Sequence, residues 1–116
     1  MKRAIVEHVV AAHPRETVLV VCSGSGNNFN FEDFYGAGCF VERFAEALGD
    51  AADLSDAAKA ALLVYRTARA PHALLDCRVG RMMVAKGLAH EVEFACGFDS
   101  LPVIPVLEQG RLRLLA

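Results

Sequence analysis

The sequence predicts an α/β fold, with helices around a mixed, mostly parallel sheet and a C-terminal antiparallel hairpin. Three observations predict it. Residues 17–22 (Thr-Val-Leu-Val-Val-Cys) are a continuous β-branched apolar run, the mark of a strand buried on both faces in a parallel sheet covered by helices. Stretches with helical apolar spacing stand on either side of that run. Near the C-terminus, two short apolar segments flank Glu108-Gln109-Gly110, which reads as a hairpin turn.

The elements follow in order. Residues 3–12 read as a helix with Ile5, Val6, Val9 and Val10 on one face, stopped by Pro14. After the 17–22 strand, Ser23-Gly24-Ser25-Gly26-Asn27-Asn28 is dense in turn residues. Asn30 is placed to cap the next helix, with Asp33 at the third helical position as a variant capping box. That helix runs from Phe31 to Leu48, with Phe34, Ala37, Val41, Phe44, Ala45 and Leu48 as its apolar stripe. Gly36 and Gly38 each cost it about 1 kcal/mol relative to Ala, so both predict close approach of another backbone. Ser55 caps a second helix reaching about Arg69, with Ala58, Ala61, Leu62 and Tyr65 turned inward. Residues 72–87 read as helix in one or two pieces, ended by Gly87. Residues 91–96 alternate as a strand, with Val92, Phe94 and Cys96 on one face. Residues 103–107 and 111–115 form the hairpin, and Pro102 and Pro105 suit an edge strand.

Composition narrows the function. The chain has 116 residues and 12.5 kDa, which predicts one domain, 1–116. Apolar types make up 54% and charged types 22%, against disorder. Lys+Arg number 12 and Asp+Glu 14, for a net charge of −2, so no basic excess serves a nucleic-acid backbone. No apolar run approaches the roughly 18 residues a membrane span needs, and Glu7 interrupts the apolar opening that a signal peptide requires. Cys22, Cys39, Cys77 and Cys96 include no Cys-x-x-Cys pair. Reduced, mostly buried thiols in a cytoplasmic protein are the expectation.

The strongest local signal for chemistry is strand, then Ser23–Asn28, then helix. Loops at the carboxyl ends of such strands are the usual ligand site of open α/β sheets. Glycines let backbone N–H groups turn toward an anion, and the helix start adds partial positive charge. Ser23, Gly24, Ser25, Gly26 and Asn27 are therefore candidate substrate-binding residues, although an ordinary connecting loop has equal standing. The loop is neither a dinucleotide fingerprint, since Phe29 stands where the third glycine belongs, nor a Walker A. Glu32 and Asp33 occupy the first helical turn, where acids also serve simply as caps. In the functional reading they are catalytic and hold Mg²⁺, which takes one or two carboxylates plus substrate oxygens. Cys22 fails as a phosphatase nucleophile because Asn28 stands where Cys-x5-Arg needs arginine; it is expected as a small buried apolar residue. Arg78 and Arg81 are assigned to a solvated helix face, and the histidines to the surface. Asp99 and Ser100 are placed after a strand, in position to face the first loop.

The segments Val-Leu-Val-Val-Cys-Ser-Gly, Phe29-Asn30-Phe31-Glu32-Asp33-Phe34 and Ala37-Gly38-x-x-Val41-Glu42 resemble the 2-phosphosulfolactate phosphatase family. So do Gly80-Arg81 before Gly87-Leu88, and Asp99-Ser100, Val103, Pro105 and Gly110. The resemblance is to the C-terminal half of the family. It implies a Mg²⁺-dependent phosphatase acting on a small phosphorylated acidic metabolite such as 2-phosphosulfolactate, on the route to coenzyme M. It implies too that the chain works as a homodimer or with a chain supplying the N-terminal half. One departure stands out: family members carry a Ser and a His just before the Gly-Arg, where this chain has Cys77-Arg78-Val79. A truncated relative that binds an anion or a partner protein without catalysis is the alternative.

Overall fold

The computed structural model describes residues 1–97 and 99–115. Helix α1 (Lys2–Ala12) packs on helix α2 (Phe31–Leu48), and α2 packs on helix α3 (Asp56–Thr67). Their apolar faces meet in a small core of Val6, Tyr35, Cys39, Val41, Phe44 and Ala61. Gly38 permits the closest contact. A Cβ there would lie 2.1 Å from the Ala61 carbonyl oxygen, so only glycine lets α2 and α3 approach this far. Gly36 differs from the expectation: nothing lies within 4 Å of a Cβ placed on it, and its helix cost has no packing return in this chain. At the entry to α3, the Ser55 hydroxyl accepts the Ala58 N–H at 3.2 Å, as a capping serine should. Across the pair, Glu42 bonds Arg66 at 3.0 Å.

Past α3, the predicted helical stretch is two pieces, α4 (His72–Asp76) and α5 (Arg78–Ala85). Gly87 follows α5 with φ 74°, the left-handed conformation that glycine adopts without penalty. A Cβ on Gly80 would lie 1.8 Å from the Leu74 carbonyl oxygen, so the tight corner between α4 and α5 requires glycine as well.

Three expectations are corrected. Residues 91–96 are not a strand but belong to helix α6 (Ala89–Ala95) and its cap. Val92 and Cys96 fit a strand face with Phe94, but they also stand four apart on a helix with Leu88. The helix wins: Leu88, Val92 and Cys96 are partly buried, while Phe94 is 83% exposed. Next, residues 17–22 belong to no strand and lie on the surface, and Cys22 with them. A strand buried on both faces needs strand neighbours and two covering layers, and the described residues provide neither. Finally, the only sheet among the described residues is the hairpin β1 (Pro105–Glu108) and β2 (Arg111–Leu114), antiparallel. It turns through Gln109 and Gly110, both at positive φ, in the manner of a two-residue hairpin loop. No helix among the described residues is long and apolar enough to cross a membrane.

The radius of gyration is 15.2 Å, above the ~13 Å of a compact domain of about this length. The chain is therefore more open than its apolar content leads one to expect.

Candidate functional site

The glycine-rich loop closes on itself. Ser25 and Asn28 exchange backbone hydrogen bonds at 3.2 and 3.0 Å, and the residues between them, Gly26 and Asn27, have φ 55° and 58°. Positive φ at both central positions defines a type I′ turn, which Gly and Asn suit. Gly24 is held more tightly still. Its φ is 67°, and a Cβ would meet the Asn28 carbonyl oxygen at 2.3 Å.

Helix α2 then ties this turn down. The Gly24 N–H donates to Asp33 Oδ2 at 2.7 Å. Asp33 therefore caps the loop instead of its own helix. Asn30 occupies the N-cap position as expected, but its side chain makes no capping bond. Buried to 9% exposure, it accepts at Oδ1 from the Ser25 hydroxyl at 3.1 Å and from Arg78 Nη2 at 2.6 Å. Arg78 Nη2 also lies 3.2 Å from Ser25 Oγ. A buried amide oxygen needs a donor, and a guanidinium brought across 48 residues of sequence supplies one.

Arg78 is the residue that sequence reasoning missed. Its position at the start of α5 carries no motif, and an arginine there reads as solvated. Only the meeting of α5 with the loop reveals its role. Beside it, the Cys77 thiol lies 3.0 Å from the Leu74 carbonyl oxygen and 3.4 Å from Glu32 Oε2, and it accepts the Gly80 N–H at 3.4 Å. Cys77 thus caps α5 and touches one of the two candidate carboxylates. Two clefts meet at this residue. An open one of about 370 Å³ is lined by Phe31, Ala73, Asp76, Cys77, Arg78 and Arg81. A more apolar one of about 230 Å³ runs past Glu32, Val79, Met83 and Val92. Arg81 is drawn to Asp76, bonding its carbonyl at 2.8 Å, so Arg78 is the cation that faces the loop.

The candidate residues are thus only partly convergent. Gly24, Ser25, Asp33 and Arg78 form one bonded cluster with Asn30. Glu32, next to Asp33, points its bond to the α4–α5 corner. Ser23 and Asn27 are exposed, and Gly26 accepts Asn28 Nδ2 through its carbonyl at 2.8 Å. The amides of Gly24, Ser25 and Asn28 are spent inside the loop. Asp99, expected to face this loop, instead accepts the Arg3 N–H and the N-terminal ammonium at 3.0 and 3.1 Å. Those bonds and the positive charge hold its carboxyl below the usual carboxylate range.

Mg²⁺ demands little protein: one or two carboxylates beside substrate oxygens suffice. No cluster of three or more His, Cys, Asp or Glu side chains suited to a metal occurs among the described residues. Glu32 and Asp33 are half-buried and each has one oxygen engaged, Asp33 at the loop and Glu32 at the α4–α5 corner, which leaves their other oxygens as the acidic donors nearest the glycine turn.

Comparison with known proteins gives this geometry a family. Residues 2–110 match the family described as 2-phosphosulpholactate phosphatase. A probable 2-phosphosulfolactate phosphatase of Deinococcus radiodurans is 32% identical over 108 residues, 89% of this chain and 44% of the relative. A namesake from Carboxydothermus hydrogenoformans is 31% identical over 97 residues, 82% of this chain and 40% of its own length. One from Thermotoga petrophila is 28% identical over 109 residues, 92% of this chain and 44% of its own length. The chain spans less than half the length of these relatives. With the match covering nearly all of its residues, it belongs to the 2-phosphosulfolactate phosphatase family.

Proposed function

We propose that the chain carries the anion-binding part of a Mg²⁺-dependent phosphatase for a small acidic phospho-metabolite such as 2-phosphosulfolactate. The observation that carries this reading is the bonded cluster of Gly24, Ser25, Asn30, Asp33 and Arg78. It joins a glycine turn and a carboxylate nine residues on to a guanidinium that comes from a distant part of the sequence. Family membership supplies the reaction class, phosphoric monoester hydrolysis.

In this reading the phosphoryl group sits against the open side of the turn. The Gly26 and Asn27 amides, which the loop does not spend on itself, donate to its oxygens together with the Ser23 hydroxyl. Arg78, held at a fixed angle by Asn30, presents its remaining N–H groups as a planar fork, the geometry suited to phosphate oxygens. Asp33 fixes the turn through Gly24 and, with Glu32, would hold Mg²⁺. When bound, that ion polarises the phosphoryl oxygens and offsets the repulsion between two carboxylates and a phosphate. Glu32, the neighbouring carboxylate, would be the group to orient a water or take its proton.

The mixed, mostly parallel sheet foreseen from the 17–22 run belongs, in this reading, to the completed protein. With less than half of the family length in this chain, turnover requires either a second copy or a polypeptide that supplies the remainder. The test is phosphate release from a panel of phosphorylated hydroxy acids, with and without Mg²⁺, by the chain alone and by the chain with the remainder supplied. Release that depends on Mg²⁺ and favours acidic substrates is expected. Phosphate binding with no release under either condition would leave a non-catalytic anion binder.

A further inference from the structure

We infer that residues 17–22 are an interior strand of a sheet that this chain does not complete, and that the stretch of family polypeptide it does not span completes it by adding a strand along each edge. The inference concerns assembly and stands apart from catalysis.

Four observations carry it. First, the backbone is open on both sides. From residue 17 to residue 23, no N–H or C=O has a backbone partner among the described residues; pairing resumes only at Gly24 and Ser25. Buried or solvent-shielded backbone groups are nearly always paired, and a bare apolar strand is a template for pairing. The usual protections of a true edge are missing: Thr-Val-Leu-Val-Val-Cys has no Lys, no Pro and no charge.

Second, the two faces differ. Val18 and Val20 are 43% and 37% exposed, whereas Leu19 and Val21 are 82% and 74% exposed. The strand period is two, so one face is partly covered by this chain and the other is bare. That is the state of an interior strand with one layer in place.

Third, the area is right. The chain exposes 8365 Å². A compact monomer of its mass exposes roughly 6,200 Å². The excess, about 2,000 Å², exceeds the ~800 Å² per partner of a standard interface and falls in the range of obligate ones.

Fourth, the relatives have the material. More than half of the length of each lies outside the match, since the match covers 44% of the Deinococcus radiodurans protein.

A second copy of the chain does not meet the need. Pairing of residues 17–22 across a two-fold axis gives each copy one neighbour and leaves its other edge open. Two open edges need two added strands. Docking also has a consequence for the loop, because Cys22 leads directly into Ser23 and Gly24: a strand held on both edges fixes the chain that enters the turn, next to the Gly24 N–H that Asp33 holds.

The experiment is amide hydrogen exchange on the full chain, alone and co-expressed with the part of the Deinococcus radiodurans relative outside the 108-residue match; the equivalent part of the Carboxydothermus hydrogenoformans relative serves as a second probe. In a completed sheet every amide of 18–22 is paired, and we expect a one-to-one complex in which all of them slow by about 100-fold or more. A homodimer pairs one edge only, so protection at alternate residues, with self-association of the free chain, overturns the inference. Failure of both probes to bind overturns it too. Val20→Pro removes one N–H from an edge and should abolish the complex while leaving the helical circular dichroism of the free chain unchanged. Unfolding of the free chain by this change would show that residues 17–22 already close its own core, and that also overturns the inference.

Discussion

Helix α2 is amphipathic and residues 17–22 are apolar almost throughout, yet it is the less apolar segment that is buried. Tyr35, Val41 and Phe44 of α2 are buried against α1 and α3. Leu19 and Val21 face open solvent. The difference lies in how each element satisfies its backbone. A helix pairs its N–H and C=O groups internally and needs only one apolar neighbour to bury its stripe. A strand needs partners for every backbone group as well as cover for both faces. Local helical contacts are therefore complete within this chain, and the non-local strand contacts are not. Apolar content says that a segment is to be buried; it does not say which polypeptide buries it.

The widest contrast comes from truncating one large side chain in each region. Phe44→Ala opens the helical core and should cost about 3–5 kcal/mol. Leu19→Ala removes a side chain that touches mostly water, and should change the stability of the free chain by no more than about 0.5 kcal/mol. Urea midpoints of the two variants measure this directly. Equal losses would mean that residues 17–22 share the helical core, and the comparison would collapse.

The two glycines of α2 sharpen the same point within one element. Gly38→Ala drives a Cβ to 2.1 Å from a backbone oxygen, which no rotamer change relieves; overpacking of this kind costs about 1–3 kcal/mol and occasionally more. Gly36→Ala meets nothing and should stabilise the helix by roughly 0.5–1 kcal/mol. Opposite signs in the melting midpoint are the expected result.

At the loop, effects on function should exceed those on stability. Asp33→Asn keeps the side chain's shape but weakens its bond to Gly24 and removes the proposed Mg²⁺ ligand. It should abolish Mg²⁺-stimulated turnover of the completed protein while moving the melting midpoint by only a few degrees. Arg78→Gln removes a charged donor from the buried Asn30. Phosphate affinity should fall about tenfold, a difference of ~1.4 kcal/mol, and titration calorimetry of the chain with inorganic phosphate reads it without any need for turnover.

Much of this could be read in the residues. The extent of α2, the Ser55 cap and the Gln109-Gly110 turn are local signals, and the structure has them where periodicity and turn chemistry put them. The α2 stripe is legible in part: Ala37, Val41 and Phe44 are buried as expected, whereas Leu48 is exposed and Tyr35 and Cys39 are buried because α1 and α3 flank the helix on two sides. Residues 91–96 failed because Val92 and Cys96 satisfy a period of two and a spacing of four equally well, and only the exposure of Phe94 separates the two. Asn30 and Asp33 stand at the expected helix start, but with other partners than a capping box gives them. A capping box is read over four residues, whereas Asp33 reaches back nine to Gly24 and Asn30 reaches 48 forward to Arg78. The site is thus half legible: its loop is a sequence motif, and its cation is a tertiary contact.

The smallest expected effect lies at Asp99, which ties the stretch after α6 back to the start of α1. Its carboxylate accepts the Arg3 N–H and the N-terminal ammonium, and both favour the charged form, so its pKa is lowered on folding. A lowered folded pKa gives stability that is fully present above the pKa of the unfolded chain and is lost as pH falls through the folded value. The link is solvent-exposed, and salt screens such pairs. Asp99→Asn should therefore lower the melting midpoint barely measurably at neutral pH and low salt. The gap between variant and parent should close as the solution is acidified below the ordinary aspartate range, and also as salt is added at neutral pH. A carboxyl titration followed by NMR should place Asp99 below the ordinary aspartate range. An ordinary titration, or a gap that widens in acid, would mean that the stretch after α6 is not anchored to α1, and that it belongs with residues 17–22 on the side of the molecule that awaits a partner.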